Sequence, residues 1–212
     1  MLLSYLFQNP IMFVVWILAI IYALSVHEFS HALGALVMGD DTAKHQGRLT
    51  LNPLSHIDLW GLAMLILAGF GWGKPVPFNP YNLRNQRWGA AIVAMFGPLA
   101  NLVSVIIFAV VIRLVFAFSG LGPENMLIQF LLALIMVDTI LLVFNLIPIP
   151  PLDGSKILFA ILPSKYNNFK IVLQRQGFFL LLALIIFDRI LPVSILGSLF
   201  GFVINGVMLL VG

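Results

Sequence analysis

The chain has 212 residues, of which 61% are hydrophobic and only 9% are charged, and its mean hydropathy is +1.08. A soluble domain carries about 25% charged residues, so this composition excludes a soluble globular protein and indicates an integral membrane protein. The net charge of +3 does not require nucleic acid, because lipid headgroups can meet basic loops, and the absence of cysteine excludes disulfides and cysteine nucleophiles.

The first apolar run covers residues 10–38 and is long enough to cross a bilayer as a helix. Since no basic region precedes it, we interpret it as a retained membrane helix and not as a cleaved signal peptide. Residues 42–57 are polar and turn-rich, with a short strand predicted near 47–51. Residues 58–70 are apolar but too short to cross roughly 30 Å of hydrocarbon. Because the proline-rich residues 73–80 cannot be helical, we predict a re-entrant and β-hairpin element here.

Two more full spans are predicted at residues 88–118 and 125–147. Three prolines at 148–151 end the second of them, and a short helix is expected at 155–162. Two further apolar segments follow, near 171–191 and 194–210. The predicted fold is therefore an all-α polytopic membrane protein with about five to six membrane helices.

Most of the eleven lysines and arginines fall in loops that share one side of the membrane if 58–70 is re-entrant. These residues are Lys44, Arg48, Lys74, Arg84, Arg87, Lys156, Lys165, Lys170 and Arg175. The positive-inside rule makes that side cytoplasmic and leaves the N-terminus outside. The expected location is the cell membrane, with the end of the first span near the cytoplasmic side.

A His-Glu-x-x-His pattern, His27 to His31, lies near the end of the first span. On a helix the two histidines stand one turn apart on one face and can bind one zinc ion, with Glu28 as general base. A helix-bundle hydrogen-bond network is the alternative, but three polar groups at membrane depth are costly and a metal would explain them. Asp153 is the best-placed third ligand, because the topology returns it to the depth of His31. Asp138 lies deeper and is interpreted as a helix–helix hydrogen-bonding residue.

These residues and further motifs resemble the site-2 proteases, zinc metalloproteases of peptidase family M50 that cut within membranes. The run from Asn145 to Gly154 is similar to the second signature of that family. Asn52-Pro53 with His56 and Asp58, the glycine- and proline-rich stretch at 71–77, and Gly97-Pro98 with Asn101 agree in order and spacing. No stretch is long enough for a PDZ or CBS domain, so the chain resembles a minimal member.

The resemblance implies that His27, His31 and Asp153 bind one Zn²⁺ per chain and that Glu28 activates water. It implies that Asn145 hydrogen-bonds the substrate or water, and that His56 or Asn101 assists near the oxyanion. Residues 1–165 would form the intramembrane metalloprotease core, and 166–212 the C-terminal membrane helices of the same domain. The implied partners are a transmembrane protein substrate and the lipid bilayer.

Two other functions remain open from the sequence. A metal-ion carrier would move a cation along the histidines and Asp153, and would not need Glu28. A catalytically silent adaptor would bind transmembrane helices, but such a protein would commonly have lost a ligand or the glutamate. The expected activity is zinc-dependent endopeptidase cleavage within or near membrane helices, as in regulated intramembrane proteolysis.

Overall fold

In a computed structural model that describes residues 2–192 and 194–211, the chain forms nine α-helices and three short 3₁₀ turns. The helices are α1 Leu2–Gln8, α2 Pro10–Val37, α3 Thr42–His45, α4 Leu59–Ala68, α5 Gly89–Ser119, α6 Met126–Asn145, α7 Asp153–Ile161, α8 Asn167–Ile190 and α9 Ile195–Met208. Of the described helices, α2, α5, α6 and α8 are long and apolar enough to cross a membrane. The all-helical fold is thus confirmed, with four candidate membrane-spanning helices and two shorter apolar helices, α4 and α9.

Helices α2, α5 and α6 form the central bundle. The side chain of Asn9 caps the start of α2, where it accepts a hydrogen bond from the backbone N–H of Met12, and Pro10 follows at the first helical position. Small residues on α2, including Ala19 and Ala23, are fully buried against α5 and α6. Small side chains allow membrane helices to approach closely, and this contact fixes the depth of the histidines that follow on α2.

The segment between α2 and α5 contains α4 and a chain that returns along it. Asp58 caps α4 by accepting a hydrogen bond from the Gly61 N–H, and Gly69 ends the helix at a φ of +71°. A Cβ atom on Gly61 would collide with the Trp72 carbonyl, so helix and returning chain pack backbone to backbone. Ile57 and Gly73 form an isolated antiparallel bridge. The strand predicted near 47–51 is wrong, since those residues form turns, bends and irregular chain in the structure.

The C-terminal part of the chain begins where prolines stop α6. After α6 the chain turns through residues 146–152 and enters α7 at Asp153. Helix α8 is mostly exposed: Gly177 and Leu181 are its buried residues, and Gly177 lies against Pro150. Lys170 donates hydrogen bonds to the carbonyls of Phe159 and Leu162, both at 2.8 Å. At the other end Arg189 donates to the Ala68 carbonyl of α4 at 2.6 Å.

Asp40 joins the turn after α2 to the loop that precedes α5. Its Oδ1 accepts hydrogen bonds from Thr42 Oγ1 at 2.6 Å and Asn82 Nδ2 at 2.9 Å, and its Oδ2 accepts from the Asn79 N–H at 2.7 Å. The residue is fully buried. Burial alone would raise the pKa of Asp40, but these hydrogen bonds outweigh it and lower the pKa below the ordinary value.

We expect Asp40→Asn to lower the free energy of unfolding at pH 7 by about 1–3 kcal/mol, because hydrogen bonds to a buried charge are lost. A carboxylate with a lowered pKa stabilises the fold above its unfolded pKa of about 3.9, and this contribution is lost as the pH falls through the folded pKa. The variant should therefore lose less stability than the wild type on acidification. Thermal unfolding in detergent at pH 7 and pH 3 measures both effects. An equal loss in Asp41→Asn, whose side chain is 58% exposed, would contradict this role.

Candidate metal centre

Three side chains from two helices converge inside the bundle. His27 Nε2 and His31 Nε2 lie 3.0 Å apart, and each lies 3.2 Å from Asp153 Oδ2. Both histidines are buried, and the Asp153 side chain is only 17% exposed. The three residues predicted as metal ligands are thus within reach of one ion.

The local sequence explains how these side chains meet. His27 and His31 are four residues apart on α2, so their rings stand one turn above each other. The proline-rich turn after α6 returns the chain to the level of the two histidines, where Asp153 is the first residue of α7. Gly154 follows it, and a Cβ atom there would collide with the Leu146 and Ile147 carbonyls. The Asp-Gly pair therefore combines the predicted carboxylate ligand with a residue small enough for this turn.

Hydrogen bonds on the far side of each ring determine which nitrogen carries the proton. His31 Nδ1 lies 2.9 Å from the Val93 carbonyl, which can only accept, so His31 Nδ1 is the donor. His27 Nδ1 lies 2.6 Å from Asn101 Oδ1, and the Asn101 amide nitrogen is directed instead at Asp138, 2.6 Å away. Both Nε2 atoms of the neutral rings then present lone pairs to the shared point.

This donor set fits a zinc ion. Two ring nitrogens and a carboxylate oxygen face one another at 3.0–3.2 Å, and Asp153 Oδ2 is buried without a hydrogen-bond partner among the described residues. Ligands about 2.0–2.1 Å from one tetrahedral ion stand roughly 3.3 Å apart. A dication at this point would be bound by all three atoms and would give Asp153 Oδ2 the partner that it lacks.

Gly97 of α5 provides the space in which the two imidazoles lie. A Cβ atom at Gly97 would lie 2.6 Å from His27 Cε1 and from His31 Cε1 and Nε2. Such a distance is shorter than side chains tolerate, so the rings would have to move. The neighbouring Pro98 already lacks a backbone N–H, and α5 nevertheless continues through it.

We expect Gly97→Ala to weaken zinc binding at least about 10-fold, because it displaces both ring ligands by a few tenths of an ångström or more. The measurement is zinc affinity by competition with a chromophoric chelator in detergent. Gly201→Ala on α9 is the matched control, since a Cβ atom there meets nothing within 4 Å. Equal zinc affinity in the two variants would contradict a role for Gly97 in shaping the site.

A cavity of about 300 Å³ opens beside the three converging side chains. Glu28, Asn145 and Lys156 contribute its other polar groups. Its remaining wall consists of Pro75, Val76, Phe78, Val93, Ala94 and Pro151. Asn145 Nδ2 also donates to the Leu141 carbonyl of its own helix at 3.1 Å. Glu28 is 9% exposed and lies next to His27 in sequence, so a carboxylate and an amide share the cavity with the three predicted metal ligands.

The other polar residues singled out in the sequence lie elsewhere. His56 is fully buried, its Nε2 lies 2.8 Å from the Thr50 carbonyl, and it is not among the residues that line the cavity. Its assistance in catalysis stays a prediction. Asn101 lies behind His27 and not beside the cavity, and Asp138 forms the helix–helix hydrogen bond expected of it, with Asn101 as partner. The GPxxN spacing, which places Asn101 one turn after Gly97, is the sequence signal that joins Asn101 to the histidines.

Comparison with known proteins relates this chain to a family of peptidases. The model described as Peptidase family M50 matches residues 115–184, which include Asn145 and Asp153. A Bacillus subtilis protein, "Putative zinc metalloprotease YwhC", is 35% identical over 173 residues, covering 80% of this chain and 79% of the relative.

Two mycobacterial relatives carry the same description under the name Rip2. The protein from Mycolicibacterium smegmatis is 30% identical over 182 residues, covering 82% of this chain and 67% of the relative. The protein from Mycobacterium tuberculosis is 34% identical over 149 residues, covering 67% of this chain and 55% of the relative. No solved structure matches the chain significantly.

Proposed function

The chain belongs to peptidase family M50 and is a zinc metalloendopeptidase, and from that premise we propose that it hydrolyses peptide bonds within or near transmembrane helices of other membrane proteins. One observation carries the proposal: the converging histidines lie on α2, a helix long and apolar enough to cross a membrane. A soluble substrate would not need a metal centre inside a bundle of membrane helices. The proposed substrate is therefore itself a membrane-spanning segment.

The proposed zinc ligands are His27, His31 and Asp153, with one ion per chain. Zinc bound there would act as a Lewis acid that polarises a carbonyl group, and it would lower the pKa of a water molecule toward about 7. Three protein ligands are the usual number for catalytic zinc, because the fourth position is left to water or substrate. The hydrogen bonds to Asn101 and the Val93 carbonyl hold the two rings in the required orientation.

Glu28 is the proposed general base and acid. Its carboxylate takes the proton from the attacking water and returns it to the nitrogen of the leaving amine, so no acyl-enzyme forms. Asn145 donates a hydrogen bond from its side-chain amide to the substrate carbonyl or orients the water. Both residues line the same cavity as His27, His31 and Asp153, which supports these roles.

A substrate helix must unwind locally, because its own hydrogen bonds hide its peptide bonds. The extended chain at residues 74–78 forms one wall of the cavity and could pair with the unwound segment as an added strand. Arg48 supports that wall from behind: it is 6% exposed and donates hydrogen bonds to the Lys74 carbonyl at 2.5 Å and the Pro75 carbonyl at 3.2 Å. Water would reach the site from the cytoplasmic side through the cavity.

We further propose a multi-pass protein of the cell membrane with about five to six membrane helices, including α9, and a re-entrant segment around α4. The bridge between Ile57 and Gly73 supports the re-entrant arrangement, because both ends of the segment lie at one level. With the basic loops cytoplasmic, the metal centre faces the cytoplasm and the N-terminus lies outside. Residues 1–165 would form the protease core and 166–212 the remaining membrane helices of the same domain.

The test uses two designed single-span helices in proteoliposomes, one of leucine and alanine only and one with a central Gly-Pro pair that eases unwinding. We expect cleavage near the Gly-Pro pair, mapped by mass spectrometry, that disappears when zinc is removed and returns when zinc is added. Degradation of unfolded soluble casein without cleavage of either helix would contradict intramembrane action. Zinc transport into the vesicles without cleavage would favour the carrier, and helix binding without cleavage the adaptor.

A further inference from the structure

Asp138 of α6 is a fully buried carboxyl group that the proposed reaction does not use. It lies within a helix long enough to cross the membrane, where an acidic side chain is costly. Its Oδ1 accepts a hydrogen bond from Asn101 Nδ2 at 2.6 Å, while its Oδ2 is buried and has no hydrogen-bond partner among the described residues. One hydrogen bond between helices contributes little stability compared with the cost of burying an acid, so a further role for Asp138 is indicated.

Asn101 connects this carboxyl group to the metal centre. The asparagine is itself fully buried, and its Oδ1 lies 2.6 Å from His27 Nδ1. Its amide nitrogen makes a longer contact of 3.4 Å with the Ala23 carbonyl on α2. Asp138, Asn101 and His27 therefore form one continuous chain of hydrogen bonds that crosses from α6 through α5 to α2.

We infer that Asp138 is a positioning residue of the zinc site that acts on His27 through Asn101. A side-chain amide can present either its oxygen or its nitrogen to a neighbour. The Asp138 oxygen accepts a hydrogen bond from the amide nitrogen of Asn101. The Asn101 oxygen therefore faces His27 and accepts a hydrogen bond from its Nδ1–H. The Nε2 lone pair is then available for zinc. A carboxylate that hydrogen-bonds a ligand histidine directly makes the ligand more basic, and here an asparagine lies between the two.

This inference rests on the proposed assignment of His27 as a zinc ligand. It differs from a purely structural role in what the removal of Asp138 would do. A helix–helix hydrogen bond would support the fold and leave zinc affinity unchanged. A positioning residue would instead be costly to bury in the zinc-free protein and beneficial only when zinc is bound.

The experiment compares Asp138→Leu, which keeps the number and branching of the side-chain heavy atoms but has no hydrogen-bond acceptor, with Thr139→Val. Thr139 is the adjacent buried residue of α6, and its hydroxyl donates to the Ile135 carbonyl of its own helix. The full-length proteins are studied in detergent by two measurements: the zinc dissociation constant by chelator competition, and the thermal midpoint of the zinc-free form. We expect Asp138→Leu to weaken zinc binding 10–100-fold, the usual effect of an outer partner of a ligand. The thermal midpoint without zinc should not fall.

Asp138→Asn provides a rescue, because its amide oxygen can still accept from Asn101; we expect it to restore most of the zinc affinity. Zinc affinity in Asp138→Leu within twofold of the wild type would overturn the positioning role. A loss of affinity that Thr139→Val reproduces, or a matching fall in the zinc-free thermal midpoint, would also overturn it in favour of a structural role. A wild type that bound no zinc would refute the proposed metal site itself, so the two failures are distinguishable.

Discussion

Glu28→Gln is expected to lower the rate of peptide hydrolysis by about 10²–10⁴-fold, the range that a positioned general base contributes, while zinc content stays near that of the wild type. Glutamine keeps the shape of the side chain but cannot accept the proton of the attacking water. Glu28 lines the cavity beside His27, His31 and Asp153 and is not one of these three proposed ligands. The variant should therefore lose peptide hydrolysis while it keeps its zinc.

The rate is measured on the Gly-Pro helix in proteoliposomes, and zinc per chain is measured by elemental analysis. Glu124→Gln is the matched control, because Glu124 is the other glutamate of the sequence and is exposed in the turn before α6. A Glu28→Gln protein that cleaved at the rate of this control would refute the proposed base. Loss of zinc from Glu28→Gln would show that its effect is on the site and not on proton transfer.

Asp153→Asn is expected to weaken zinc binding more than about 100-fold, beyond the range typical of an outer partner of a metal ligand. The substitution removes the single negative charge among the three ligands and turns a carboxylate oxygen into a weaker amide donor. Asp153 Oδ2 lies 3.2 Å from each histidine Nε2, so the substitution changes an atom that would bind the zinc ion directly. Cleavage activity should disappear together with the zinc.

The measurement is the zinc dissociation constant at fixed pH, with Asp41→Asn as a control of equal charge change on an exposed side chain. Excess zinc should restore part of the activity of Asp153→Asn, since the two histidines remain. Wild-type zinc affinity in this variant would mean that the third ligand is a different residue. The zinc site would then have to be sought around the other polar groups of the cavity.

The long helices and the convergence of the three predicted ligands could be predicted from the sequence because their signals are strong and local. Apolar runs of membrane length are unambiguous, and the spacing of His27 and His31 fixes their relative position once a helix is assumed. Asp153 could be placed because three prolines end α6 and turn the chain back. The residues between α2 and α5 were harder to predict, since turns, a 3₁₀ helix and an isolated bridge carry no periodic pattern.

The hydrogen bonds behind the metal centre could not be derived from the sequence alone. The contact between His27 and Asn101 joins residues on different helices, and it depends on the rotation of α5 about its own axis. Asn101 was expected near the oxyanion, whereas it lies behind the ring of His27. The rotation of α5 is determined by packing, here by the small residues of α2 and by Gly97. The sequence of a uniformly apolar helix does not indicate which of its faces is buried.

Helix α8 depends on its surroundings more than the central bundle does. Lys170 and Arg189 hold its two ends by hydrogen bonds to carbonyls of α7 and α4, and Gly177 in its middle contacts Pro150. Most of its remaining length is exposed. Changes in bilayer thickness act on exposed spans by changing their tilt. Because Pro150 belongs to the turn that leads to Asp153, a change in the tilt of α8 would be transmitted to that turn through the contact between Gly177 and Pro150.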